Sequence, residues 1–116
     1  MHRLRSHRIG VAQGEVVLFS DFENGGVMWT GEGPRQSRDV VTFDEPFRAP
    51  PMVQVGLSMW DISRNANARV DVRAIEISAS GFVIDFRTWG DTKIARIRVS
   101  WSAIGELADA DDWNLD

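Results

Sequence analysis

The sequence predicts a single all-β domain, folded as an antiparallel sandwich. From about Val40 onward, apolar and polar residues alternate at a period of two, which is typical of half-buried strands. Short runs of Gly, Pro, Asn and Ser separate these segments, and no segment shows a convincing helical period. At 116 residues, the chain has the length of one domain with its own core. An all-β sandwich is therefore the expected architecture.

Two strands of this pattern flank a polar loop. Residues 53–59 alternate, residues 62–67 are polar and contain two Asn, and residues 69–77 alternate again. The small residues at 78–81 then predict a tight turn.

The next two strands are predicted to form a hairpin that presents Trp89 close to its turn. Residues 82–88 alternate, residues 93–103 alternate, and Gly90 with Asp91 supplies the turn between them. One face of the pair is mostly apolar and consists of Phe82, Ile84, Phe86, Thr88, Ala95, Ile97, Val99, Trp101 and Ala103. We therefore expect a meander of antiparallel strands with one buried face and one polar face.

The amino-terminal part is less regular. Residues 9–13 and 15–19 each predict a strand, and a break at Gly14 between them is one interpretation. Residues 30–37, which contain glycine and proline, predict a loop, and residues 40–43 predict a short strand. The prolines that follow, at positions 46, 50 and 51, keep the next connection extended.

Three segments are expected along the chain. They are a basic flexible leader over residues 1–8, the sandwich over residues 9–105 and an acidic tail over residues 106–116. The leader is not followed by an apolar core, so we expect no ordinary secretion signal. The protein is expected to be soluble, and residence in the cytoplasm and export by another route both stay open.

Composition argues against several classes of partner. The formal net charge of −4 disfavours nucleic acid, because phosphate neutralisation requires a basic surface. No apolar run approaches the roughly 18 residues of a membrane span. The absence of cysteine excludes disulfides and any zinc site built on cysteine ligands.

The ionisable residues give no recognisable catalytic or metal site. Both histidines, His2 and His7, lie in the leader, so no His within the strands can act as base for a Ser. The tail acids lack the glycine and terminal glutamate of a calcium loop; they are Asp109, Asp111 and Asp112. The acids that a glycosidase would need fall on different strands and faces, at Asp61, Glu76, Asp85 and Asp91. We therefore expect no enzyme, no metal and no cofactor.

Dense charge marks the polar face of the strands. Arg87, Arg96 and Arg98 are expected to lie near Asp85 across the hairpin. Each opposite-charge pair across strands stabilises a sheet by only ~0.2–1 kcal/mol. A solvated face, an assembly face with paired arginines and carboxylates, and a ligand site all remain open as interpretations.

Trp89 is the most informative candidate for binding. An indole beside short polar side chains suits a sugar ring, which offers a C–H face and a rim of hydroxyls. A Trp that merely closes one end of the core is the alternative interpretation of the same position.

Three motifs follow one another along the chain: Asn67-x-Arg69, then Gly81-Phe82, then Thr88-Trp89-x-x-Thr92-Lys93. Their combination at these spacings resembles the H-type lectin domain family, which includes invertebrate agglutinins and the carboxy-terminal domain of discoidins. The resemblance covers roughly residues 43–104. It rests on Phe43, Pro50, Pro51, Val53, Leu57, Asp61, Asn67, Arg69, Gly81, Phe82, Thr88, Trp89, Thr92, Lys93, Val99 and Trp101.

The resemblance implies a six-stranded antiparallel sandwich that assembles as a homotrimer. It also implies metal-independent binding of galactose-type glycans, notably N-acetylgalactosamine, in clefts between protomers. Carried over by position, Trp89 would stack on the sugar and Arg69 would donate hydrogen bonds to its hydroxyls.

The remaining site positions are assigned by the same resemblance. Glu32 would hold the place of the acidic sugar ligand, with Asp39 as the alternative, and Gly90 and Asp91 would shape the rim. The framework positions Asp61 and Asn67 would organise the loop that carries Arg69.

Two departures from the family pattern weaken the ligand prediction but not the fold prediction. Gly90 stands where typical sugar binders have a His, and Ala95 stands where they have an aromatic residue. Each lost hydrogen bond removes about 0.5–1.5 kcal/mol. A structural or attachment trimer that keeps the fold and has lost sugar binding is therefore the alternative function.

Overall fold

The computed structural model describes residues 1–5 and 8–108, and these form an all-β sandwich of six strands. The elements are β1 (Ile9–Ser20), α1 (Val27–Thr30), β2 (Arg35–Thr42), β3 (Met52–Ile62), β4 (Val70–Ile75), β5 (Gly81–Thr88) and β6 (Ile94–Glu106). They build two antiparallel three-stranded sheets, with strand order β1-β6-β3 in the β6 sheet and β2-β5-β4 in the β5 sheet. The predicted fold class and the six strands implied by the resemblance are confirmed.

The predicted hairpin between β5 and β6 is wrong. The two strands are the central strands of different sheets, so residues 89–93 cross from one sheet to the other. The connection from β3 to β4 also changes sheet, which replaces the expected meander. Glycine and aspartate favour a sharp change of chain direction in either setting, and the alternation of a strand does not reveal which neighbour it pairs with.

The core lies between β5 and β6, on the faces that alternation predicted. Phe82, Ile84 and Phe86 of β5 and Ile97 and Val99 of β6 are each at most 2% exposed. Fully burying one such side chain contributes about 1.5–3 kcal/mol. These central strands therefore hold the two sheets together.

Aromatic side chains close the core at the end where β5 begins. The Phe82 and Trp101 rings meet edge to face at 5.5 Å, and the Phe43 and Phe47 rings do so at 5.0 Å. Trp89 follows the opposite end of β5 and is 44% exposed. The alternative interpretation, in which the Trp89 indole closes one end of the core, is therefore wrong.

The amino-terminal half differs from its prediction in three places. β1 runs without a break through Gly14, which lies opposite Trp101 and where a Cβ would stand 2.9 Å from the indole. Residues 35–37, predicted as loop, begin β2. The helix α1 was not predicted, because four residues are too few to show a period.

Four of the residues considered above as candidate ligands lie outside the described residues; they are His7, Asp109, Asp111 and Asp112.

The predicted cluster of Arg96 and Arg98 with Asp85 is also wrong, because both arginines lie on the β6 sheet. Arg96 forms an ion pair with Asp61 at 3.3 Å, and Arg98 donates to Ser58 Oγ at 3.0 Å. Only Arg87 of the three predicted arginines contacts Asp85, through its Nε at 2.9 Å.

Candidate functional site

The candidate site is built on the crossover from β5 to β6. Gly90 has φ +70°, a left-handed conformation that glycine adopts without steric cost. Its carbonyl accepts a hydrogen bond from the Gly33 N–H at 2.9 Å, which ties the crossover to the loop before β2. A Cβ at Gly90 would approach the Arg69 Nη1 to 3.4 Å. The turn therefore needs glycine for its conformation and packs closely against Arg69.

A buried arginine supports this turn from inside. Arg35 is 7% exposed, and among the described residues its guanidinium donates to backbone carbonyls alone. Its bonds are Nε to Gly33 O (2.9 Å), Nη1 to Met28 O (3.1 Å) and Thr92 O (2.7 Å), and Nη2 to Gly90 O (3.2 Å). One side chain thus joins α1, the loop before β2 and the crossover. Sequence reasoning missed Arg35, since it lay in a predicted loop and nothing in its neighbours signals burial.

Asp91 links the crossover to the loop before β4. Its carboxylate accepts a hydrogen bond from Arg69 Nη1 at 3.1 Å and from the Asn67 Nδ2 at 3.3 Å. Desolvation opposes ionisation of Asp91, but the hydrogen bonds from Asn67 and the charge of Arg69 outweigh it and lower the pKa of the carboxyl. Asp91 is therefore a carboxylate at neutral pH, and it orients the guanidinium of Arg69.

Two buried threonines fix the backbone on either side of Arg69. The Thr92 hydroxyl donates to the Asn67 carbonyl and accepts from the Arg69 N–H at 3.0 Å. The Thr88 hydroxyl donates to the Arg69 carbonyl. Asn67 thus lies in the loop that carries Arg69, as predicted, whereas Asp61 pairs with Arg96 on the other sheet.

Trp89 borders a shallow groove on the outer face of the β5 sheet. The groove holds about 250 Å³ and is lined by Pro34, Arg35, Gln36, Arg87, Thr88 and Trp89. Because Val70 pairs with Thr88, continuing the antiparallel register places Arg69 opposite Trp89. The structure therefore brings Trp89, Arg69, Gly90 and Asp91 together at one end of this sheet.

The two candidates for the acidic ligand lie at different distances from the turn. Glu32 is exposed and adjoins Gly33, whose N–H is bonded to Gly90. Asp39 lies on β2, where it pairs with Ile84 of β5. It is four residues beyond Arg35, a separation of about 13 Å along a strand. Of the two, Glu32 is the carboxylate beside the crossover.

A larger depression on the β6 sheet has a different character. It holds about 590 Å³ over the middle of the sheet and includes Gln13, Gln54, Ser100 and Ser102 in its lining. Its lining also includes Trp101, which is partly buried and packs edge to face against Phe82. This surface therefore combines polar side chains with a partly buried indole, whereas the groove at Trp89 is bordered by an indole that is 44% exposed.

The described residues contain neither a metal-ligand cluster nor a membrane-spanning helix. Among residues 1–5 and 8–108, no group of three or more His, Asp or Glu side chains could hold a metal ion. In the same part of the chain, no helix combines the length and the apolar character needed to cross a bilayer.

The β-sandwich presents a half-exposed indole beside a guanidinium–carboxylate pair. This arrangement is that of a binding module for a ligand with an apolar face and polar groups. The sequence profile of the H-type lectin domain family matches residues 38–104, which is more than half of the chain. The chain belongs to the H-type lectin domain family. Membership in this family supports a role as a carbohydrate-binding module.

The chain is also similar to individual proteins in sequence and in fold. A protein of Fuscovulum blasticum described as "ATP synthase subunits region ORF 7" is 55% identical over 108 residues, which are 93% of this chain and 94% of that protein. Discoidin II of Dictyostelium discoideum shares the fold, with a TM-score of 0.73 and 24% identity over 89% of this chain. The chain spans 39% of the length of discoidin II. The tailspike protein gp49 of Pseudomonas phage LKA1 gives a TM-score of 0.55 and 18% identity, over 86% of this chain and 15% of that one.

Proposed function

We propose that this chain is a lectin module that binds galactose- or N-acetylgalactosamine-type glycans without a metal ion. In this proposal it forms a homotrimer with its sugar sites at the protomer boundaries. The observation that carries the proposal is the half-exposed Trp89 indole beside the Arg69–Asp91 pair. Hydrogen bonds to Thr92 tie the crossover that carries Trp89 and Asp91 to the loop that carries Arg69, and a preorganised site loses less entropy on binding.

Each side chain has a chemical role in this proposal. The Trp89 ring provides the apolar surface on which the C–H face of a galactose-type sugar stacks. Arg69 donates to sugar hydroxyls through the nitrogens that Asp91 does not use. Glu32 supplies the acceptor, with Asp39 as the alternative, while Gly90 and Asp91 shape the rim. Hydroxyl recognition of this kind needs donors and acceptors in fixed positions and no metal ion.

The trimer would complete a site that is small in one protomer. The groove at Trp89 holds about 250 Å³, which is at the low end for a ligand site. A neighbouring protomer would add a second wall, and three sites on one face would convert weak single-site binding into avidity. Sedimentation equilibrium is expected to give a trimer at micromolar protomer concentration, and a monomer at that concentration would contradict this part of the proposal.

Calorimetric titration and a glycan array test the sugar site. The wild type is expected to bind galactose-type glycans, and Trp89→Ala is expected to weaken binding at least tenfold, because the stacking surface is removed. Trp60→Ala is the matched control, since Trp60 is 63% exposed and lies on the β6 sheet. Failure of the wild type to bind any glycan would refute the proposal.

One observation favours a second function, that of a structural or attachment trimer without a sugar site. Ala95 stands where typical sugar binders have an aromatic residue, and its small side chain is only 6% exposed. Its carbonyl accepts a hydrogen bond from the Asp21 N–H. This position therefore gives a ligand no aromatic contact. Gly90 likewise offers no imidazole. A salt-sensitive trimer that responds to no glycan would support this second function over the first.

A further inference from the structure

The outer face of the β5 sheet carries guanidinium groups next to Trp89. Side chains two residues apart on a strand share a face, so Asp85 and Arg87 of β5 both lie on this one. Trp89, which directly follows β5, continues the same alternation. Arg38 of β2 and Arg73 of β4 lie opposite Asp85 on the two sides. Each of the three arginine side chains is about half exposed, whereas the Asp85 carboxylate is fully buried beneath them. The charge that reaches solvent here is therefore positive.

The carboxylates of this region are too few to neutralise its arginines. Asp85 is shared by Arg38 at 3.2 Å, Arg87 at 2.9 Å and Arg73 at 3.7 Å. Asp71 contacts Arg73 at 3.6 Å and is the second acid of the face. Three guanidinium groups thus share two carboxylates, in a chain whose formal net charge is −4.

The floor of the groove adds a further positive charge. Arg35 lines the groove and is hydrogen-bonded to neutral carbonyls, with no carboxylate among its described partners. A buried charge in a medium of lower effective dielectric is screened less than a surface charge. Glu32 in the nearby loop is exposed, so solvent screens its opposing charge more strongly. Arg35 therefore contributes to the groove floor a positive charge that solvent screens only weakly.

Arg87 has donors left for a ligand beside Trp89. It bonds to Asp85 through Nε, and no described residue accepts a hydrogen bond from its terminal nitrogens. Residues two apart on a strand are about 6.6 Å apart, a distance that a stacked sugar ring and one substituent can span. The planar guanidinium matches carboxylate and sulfate oxygens in a two-point geometry.

We propose that the groove at Trp89 accepts a saccharide with an anionic substituent, a carboxylate or a sulfate, whose ring stacks on Trp89 while Arg87 binds the anionic group. This inference rests on the proposed function, since it names the chemical class of glycan for the same site. Neutral galactose-type sugars use the contacts named in the proposed function, whereas an anionic sugar adds the contact with Arg87.

Isothermal titration of the full chain with two matched pairs of sugars tests the inference. The pairs are galactose with galacturonic acid, and N-acetylgalactosamine with N-acetylgalactosamine 6-sulfate. At 50 mM NaCl, at least one anionic member is expected to bind about tenfold tighter than its neutral partner, and the difference is expected to shrink at 500 mM NaCl. Neutral sugars that bind as tightly as both anionic ones would overturn this inference alone. No binding by any of the four would overturn the proposed function as well.

Substitutions assign the preference to Arg87. Arg87→Gln is expected to reduce the affinity of the anionic sugar to that of its neutral partner, with both measured on the same variant. Arg87→Lys, which keeps the charge, is expected to retain part of the preference. Arg96→Gln is the matched control, because Arg96 is equally exposed but pairs with Asp61 on the β6 sheet. An anionic preference that survives Arg87→Gln would overturn the assignment, and urea unfolding of this variant shows whether the fold is intact.

Discussion

Arg35 is the residue on which the geometry of the candidate site depends most. It joins two nearby segments, α1 and the loop before β2, to the distant crossover, and its acceptors among the described residues are backbone carbonyls. Loss of a buried donor leaves such carbonyls without a partner, and each costs about 1–3 kcal/mol. Arg35 is therefore a positioning residue for Trp89 and Arg69, and its substitution should affect both stability and binding.

We predict that Arg35→Met lowers the free energy of unfolding by about 3 kcal/mol, because at least two buried carbonyls lose their donor. Urea denaturation of the variant and the wild type measures the difference. Arg38→Met is the control, since Arg38 is half exposed and one of several donors to Asp85. An equal loss in both variants would show that Arg35 has no special structural role.

Gly90 tests the conformation of the turn directly. We predict that Gly90→Ala lowers stability by about 1–2 kcal/mol, because alanine is strained at φ +70°. Gly56→Ala is the control, as a Cβ there meets nothing within 4 Å and its φ lies outside the left-handed region. Thermal unfolding of both variants provides the measurement. A stable Gly90→Ala together with a destabilised Gly56→Ala would contradict the turn geometry.

At the scale of the element, β5 combines the core and the candidate site in one strand. Its inward residues fill the core, and its outward residues Asp85 and Arg87 lead to Trp89. Both edge strands contribute to the Asp85 cluster, since Gln36 and Arg38 come from β2 and Arg73 from β4. The cluster therefore holds the three strands in register as well as giving the face its charge.

We predict that Asp85→Asn lowers the free energy of unfolding by about 2 kcal/mol at pH 7. The substitution keeps the shape of the side chain but replaces charge-assisted hydrogen bonds with weaker ones, and it leaves three arginines close together. Urea denaturation measures the loss. Asp71→Asn is the control, because the Asp71 side chain is 46% exposed and its ion pair is long, at 3.6 Å. Equal stability of Asp85→Asn and the wild type would show that the cluster contributes nothing.

Alternation predicted the inward face of β5 and β6 but not the partners of these strands. Phe82, Ile84 and Phe86 are buried as expected, because a period of two is set by the strand itself. Sheet membership depends instead on distant segments, and Gly90 with Asp91 is compatible with a hairpin and with a crossover alike. The candidate site shows the same division. Motif spacing is enough to name Trp89 and Arg69 as candidates, whereas the role of Arg35 depends on the positions of four backbone carbonyls, which only the folded structure reveals.

On the scale of the whole molecule, the charge distribution opposes the net charge. The chain carries −4 overall, yet the outer face of the β5 sheet and the groove floor have more guanidinium groups than carboxylates. The protonation of two carboxyls in this region, those of Asp85 and Asp91, is coupled to folding. Burial opposes the ionisation of Asp85, but hydrogen bonds from Gln36, Arg87 and Arg38 lower its pKa, and the pKa of Asp91 is lowered as well.

These two pKa shifts predict an acid-dependent loss of stability. An aspartate whose pKa is lower in the folded state binds fewer protons there than in the unfolded chain, where the pKa is about 3.9. The stabilising contribution is therefore fully present above about pH 5 and is lost as the pH falls through 3.9 toward the folded-state pKa. We predict that the free energy of unfolding is nearly constant from pH 7 to pH 5 and decreases below pH 4. Urea denaturation at a fixed protein concentration gives the profile. Asp85→Asn is expected to show a shallower decrease below pH 4, because one of the two coupled groups no longer titrates. Asp71→Asn is the control, since the Asp71 side chain is 46% exposed and its ion pair with Arg73 is long. A profile of Asp85→Asn parallel to that of the wild type would contradict the assignment of this acid sensitivity to the arginine-ringed carboxylate.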